Sequence, residues 1–186
     1  MAVKQLRSIY QLKITLQGSK PPIWRRVLVP GSIKLDDFHE LIQVVMGWQD
    51  YHLHQFICDN VLYGVLNEDF DDFGMELKDE TKYKLSQLLT VEKSFLKYEY
   101  DFGDGWEHKI TLEKILPFDA NVHLPQCIKG KRACPPEDCG GIWGYEELLE
   151  ALSDKKHPEH ESMLEWLGGD FDPEYLDLDE INEQLS

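Results

Sequence analysis

The 186 residues, 42% apolar and 29% charged, have the composition of a globular chain with a sizeable core, which argues against wholesale disorder. A formal charge of −16 repels polyanions and argues against a broad nucleic-acid-gripping face. No apolar run approaches the roughly 18 residues of a bilayer span, and the opening MAVKQLRSIYQLKITL lacks the apolar centre of a signal peptide, so a cytoplasmic location with no membrane partner is expected.

The charge is unevenly spread. Residues 1–34 carry seven Lys or Arg and no acid, whereas residues 131–186 carry four against sixteen acids. A phosphate backbone would meet the chain through residues 1–34, although the default role of such a segment is to pair with the chain's own acids.

In chain order, Tyr10, Leu12, Ile14 and Leu16 alternate with polar residues, the pattern of a half-buried strand. GSKPP (18–22) is a turn, and IWRRVLV (23–29) is a second strand that completes a hairpin. Leu35, Phe38, Leu41, Ile42, Val45 and Met46 recur at helical spacing, with Asp36, Asp37 and Glu40 near the helix start and Gly47 at its stop. HLHQFIC (52–58) and VLYG (61–64) form a short strand pair, EDFDDFG (68–74) an acidic loop, and LSQLL (85–89) one helical turn.

SFLKYEYDF (94–102) and WEHKITLEKI (106–115) alternate around Gly103-Asp104-Gly105, the turn chemistry of a hairpin. A loop rich in cysteine and proline (125–141) leads to helical spacing at 144–152, 158–167 and 176–185. Strands first and helices last give an α+β class. The expectation is a mainly antiparallel or mixed sheet of about five to six strands, one early helix and a C-terminal group of helices. One domain over residues 1–186 is expected, its acidic helical part beginning at about residue 142.

Four ordered blocks, FHELIQVVMGWQDYHLHQF (38–56), YEYDFGDGWEHKITLE (98–113), CPPEDCGGIWGYEELLEAL (134–152) and GGDFDPEYLDLDEIN (168–182), resemble the plasmid pRiA ORF-three-like family. Some of its members carry an insertion-element passenger, TnpR-type label. The resemblance implies a compact α+β fold and an occasional association with mobile elements, and it brings no catalytic residues. The recombination that the label suggests finds no recombination serine motif and no basic helix-turn-helix here.

Several residue groups have the chemistry of a site. His52 and His54 are two apart on a strand, which sends both imidazoles to one face, and Asp101, Asp104 and His108 of the hairpin could complete a metal centre. Histidines beside Trp48 and Tyr51 equally suit an aromatic hydrogen-bonded cluster, and Asp101 and Asp104 equally suit the turn itself. Cys127, Cys134 and Cys139, with His123 or His108 as a fourth ligand, could hold zinc, but their spacing is looser than the usual structural pairs. Small thiols filling a loop explain them as well.

Asp69, Asp71, Gly74 and Glu80 fall on calcium-loop positions, but Phe73 stands where an oxygen donor is needed. His157 and His160 share a helical face without a third ligand. No serine elbow, phosphate loop or dinucleotide fingerprint is present. The leading expectation is a binding or accessory module whose acidic half faces a protein partner. The alternative is a metal-dependent hydrolase or nuclease-like enzyme built on His52, His54, Asp101, Asp104 and His108.

Overall fold

The structure, a computed structural model, describes residues 7–66 and 76–186. The acidic loop and most of the calcium-loop pattern lie outside the described residues, as does Lys4 of the basic segment. The strands are β1 (Ile9–Leu16), β2 (Ile23–Pro30), β3 (His54–Cys58), β4 (Val61–Gly64), β5 (Leu77–Asp79), β6 (Phe95–Tyr100), β7 (Trp106–Leu116) and β8 (Gln126–Lys131). They form one sheet in the order β5-β4-β3-β6-β7-β1-β2-β8. Every pairing is antiparallel except β4 with β5.

The helices are α1 (Leu35–Met46), α2 (Leu85–Leu88), α3 (Gly141–Ser153), α4 (His160–Leu167) and α5 (Leu178–Leu185), with a 3-10 turn at Glu80–Lys82. The class is therefore α+β, but the sheet is larger than the expected five to six strands, and the turn expected at LSQLL is a second short helix ahead of the C-terminal three. The two missed strands have physical reasons to be missed. β5 has three half-buried residues, too few for any periodicity. β8, QCIKGK, buries only Cys127, so it shows no alternation and reads as part of the proline-rich loop.

The alternation in β1 reports burial directly: Leu12, Ile14 and Leu16 are almost wholly inaccessible. Against that face α1 lays Leu35, Phe38, Leu41, Ile42, Val45 and Met46, each worth about 1.5–3 kcal/mol of burial. Gly47 ends the helix at φ 111°, a left-handed backbone that glycine adopts without strain.

Three cations of the basic segment, Lys13, Arg25 and Arg26, are engaged internally, while Arg7, Lys20 and Lys34 are exposed. Arg25 is buried and donates to the carbonyls of Val45, Trp24 and Lys131. Arg26 makes a two-pronged bond to Glu113 at 2.7 and 3.1 Å, while Lys13 and Arg26 both lie over the Trp24 ring. Among the described residues no helix is long and apolar enough to cross a membrane.

Candidate functional site

The site grows from the segment between α1 and β3. Chain reversal after Gly47 brings Asp50, His52 and His54 back past α1 and the end of β6, so helix, sheet and connecting loops supply side chains to one region. A pocket of about 850 Å³ opens there. Leu53, Ile57, Leu62, Val65, Leu77 and Phe102 give it apolar walls, and Asp36, His39, Glu40, Asp50, His52, His54 and Glu80 its polar surface. Among the described residues, neither Lys nor Arg lines it.

One polar group is a pair of stacked imidazoles. The rings of His39 and His54 lie 3.4 Å apart and 7° from parallel. His39 Nε2 meets Asp50 Oδ1 at 2.9 Å and its Nδ1 meets the Tyr98 hydroxyl at 2.7 Å. His54 Nε2 sits 2.8 and 3.0 Å from the two oxygens of Glu80, itself nearly inaccessible. Gln43 closes the network, donating to Tyr98 at 2.9 Å and accepting from the Asp50 N–H. Burial, and then the neighbouring His54, push His39 below the usual imidazole range, against the pull of Asp50. Burial likewise holds the Tyr98 phenol protonated.

A second group lies on the other side of the same backbone. His52 Nε2 is 3.5 Å from Asp101 Oδ2, 2.7 Å from Asp138 Oδ1 and 3.8 Å from Glu137 Oε2. Glu137 is fixed by the Tyr100 hydroxyl at 2.9 Å and the Gln49 N–H at 2.8 Å. Asp101 Oδ1 accepts from the N–H groups of Gly103 and Asp104.

Asp104 is the clamp that brings the two loops together. Its Oδ2 accepts from the Gly140 N–H at 3.1 Å. A Cβ on Gly141 would fall 2.4 Å from the Asp104 carbonyl, so the approach requires glycine there.

The five residues of the metal-enzyme expectation therefore separate. Asp101 does reach His52. His54 joins the stacked pair, and Asp104 is spent on the clamp. His108 is wholly buried: its Nε2 accepts from Trp48 Nε1 at 3.2 Å and its Nδ1 donates to the Tyr98 carbonyl at 3.1 Å. Burial pulls its pKa down to about 4, so it is a neutral core imidazole and not a ligand. The placement also corrects the one-face expectation, because His52 precedes β3 and departs from the strand's alternation.

The cysteines do not converge either. Among the described residues, groups of three potential ligands within reach of one ion occur at His39, Asp50 and His54 and at His52, Asp101 and Asp138, with no cysteine in them. Burial raises all three thiols, Cys139 to about 12. His123 is on an exposed loop. His160 is bonded to the Ala151 carbonyl and His157 accepts from the Glu159 N–H, so that pair is divided as well.

Sequence reasoning missed His39, Asp50, Glu137 and Asp138, and read Glu80 as a calcium-loop position although it bonds His54. Only His39 left a signal, since it follows Phe38 on the apolar stripe of α1 and so falls at a buried position. The others meet their partners across 11, 26 and more residues, separations that no local pattern reports.

The plasmid pRiA4b ORF-3-like protein family model matches residues 8–180, and the chain belongs to that family. An uncharacterized protein, y4hQ, of Sinorhizobium fredii is 39% identical over 96% of this chain and 91% of its own. A crystal structure of a protein of unknown function from Methanosarcina mazei Go1 is 46% identical, covers 94% of this chain and 97% of its own, and superposes with a TM-score of 0.84.

Proposed function

We propose that this member of the plasmid pRiA4b ORF-3-like family is a recognition module whose pocket receives a cationic, partly apolar group from a protein partner. The observation that carries the reading is Asp36 Oδ1, a buried acceptor with no hydrogen-bond donor, on the wall of a pocket to which the described residues bring four carboxylates and no Lys or Arg. A buried acceptor without a donor costs about 1–3 kcal/mol, and an ammonium or guanidinium group supplies the missing donor together with the missing charge. The aliphatic stem of a Lys or Arg matches walls of Leu, Ile and Val. A chain of charge −16 adds long-range attraction for a basic partner.

The test uses fluorescent peptides in which Lys or Arg is flanked by apolar residues, with Glu-substituted peptides as controls. Binding of the basic peptides should weaken with rising salt and with Asp36→Asn. Equal affinity for the acidic controls, or affinity indifferent to salt, would defeat the proposal.

A further inference from the structure

We propose that His52, Asp101 and Asp138 form a binding site for a divalent transition-metal ion of the manganese–zinc class. The three donor atoms, His52 Nε2, Asp101 Oδ2 and Asp138 Oδ1, all lie within 4.8 Å of one another. Two of the separations are 2.7 and 3.5 Å. Ligands bound at about 2.1 Å to one ion sit about 3.0–3.4 Å apart, so the group closes on an ion with small side-chain movements.

Proximity alone would leave this an acidic cluster. The second observation is that two of the three donors are buried and unsatisfied. Asp101 is 6% exposed and its Oδ2 has no hydrogen-bond partner. Its orientation is not free, because Oδ1 is held by two backbone N–H groups and Oδ2 is thereby turned toward His52. His52 Nε2 is likewise without a hydrogen bond. Asp138 Oδ1 is close enough to it for an ion pair but off the direction in which a ring N–H donates. An in-plane lone pair on nitrogen and a carboxylate lone pair facing one point are the requirement for coordination.

The donor set selects the ion. One imidazole with two carboxylates suits manganese or zinc better than calcium or magnesium, which take all-oxygen shells. Asp138 is 60% exposed, so the ion would keep open positions toward solvent, in contrast to a closed structural site. Glu137, fixed by Tyr100 and Gln49, stands beside the ion as an outer carboxylate that orients a bound water. Of the three ligands only His52 also lines the pocket, and Asp36, on which the pocket reading rests, takes no part in the ion site.

The test is calorimetric titration of the whole, chelator-treated chain with Mn²⁺ and Zn²⁺, with Mg²⁺ alongside. Wild type should take up one equivalent of Mn²⁺ or Zn²⁺. Asp101→Asn and His52→Gln should each weaken that uptake by about 100-fold or more, while Cys134→Ala/Cys139→Ala leaves it unchanged. Circular dichroism of the metal-free variants shows whether each is folded, and having two ligand variants keeps one readable if the other fails. The proposal is overturned if wild type takes up no equivalent, if both folded ligand variants bind as wild type does, or if only the cysteine variant loses the ion.

Discussion

Two histidine–carboxylate groups stand on opposite sides of the chain at residues 50–54, made of the same side chains and finished differently. Around His39 and His54 the network is nearly closed: both His39 nitrogens, His54 Nε2, the Tyr98 hydroxyl and the Gln43 amide have partners at 2.7–3.0 Å. Around His52 a ring nitrogen and a carboxylate oxygen are buried and left over. Both groups satisfy the distance requirement for an ion, so distance does not discriminate between them. What does is unspent lone pairs, since a donor already saturated must give up a hydrogen bond to take a metal. The closed network reads as structure, and the open one as a site.

The largest expected effect comes from acid, and it acts on the closed side. His108, bonded through both nitrogens to Trp48 and to the backbone of Tyr98, has its pKa lowered by burial from 6.5 to about 4. The unfolded chain therefore binds this proton first. The contribution of His108 is complete above pH 6.5 and falls as pH drops toward 4, by roughly 1.4 kcal/mol per unit and about 3 kcal/mol in all. Urea unfolding at pH 7 and pH 4.5 should show a steep loss in wild type. His108→Gln, which keeps one donor and one acceptor, should flatten that limb. Parallel slopes in the two proteins would show that this proton does not matter.

Tyr98→Phe attacks the same network at its centre. It strips a partner from His39 Nδ1 and from Gln43 Nε2, both buried, and should cost about 2 kcal/mol in denaturant unfolding at neutral pH. Glu80→Gln is milder. It keeps the shape and one hydrogen bond to His54 but removes the charge that strengthens it, a loss of about 1 kcal/mol. If either change left stability untouched, the closed network would not be the structural member of the comparison.

The contrast also shows what the sequence could convey. Burial by periodicity was legible: β1 and α1 stand where alternation and helical spacing placed them. The same rule already marked His108 as a core residue, because Trp106, His108, Ile110 and Leu112 share one phase of β7 and all are buried. Counting it as a ligand set residue type above phase. The partnership of His52 with Asp101 was legible as a choice of residues, though not as geometry. Asp138 could not be read at all, since it arrives through a cysteine-rich loop that Asp104 and two glycines pin to the hairpin, and a residue that only a turn-to-turn clamp brings near leaves no period behind.

The smallest expected effect is the sharpest test of the comparison. Asp101 adopts a left-handed backbone at φ 60°, which asparagine tolerates as well as aspartate does. In Asp101→Asn the oxygen still accepts from Gly103 and Asp104, while the new amide faces His52 Nε2 and can donate to it. The substitution thus supplies a hydrogen bond where wild type has two stranded atoms, and it removes one of three carboxylates around one imidazole. Metal-free stability should therefore change by no more than about 0.5 kcal/mol, and in the favourable direction. The measurement is thermal unfolding in chelator, with Glu80→Gln alongside as the closed-side control. A loss of 2 kcal/mol or more from Asp101→Asn would mean that its carboxylate is already spent on the fold, and the distinction between the two groups would fall.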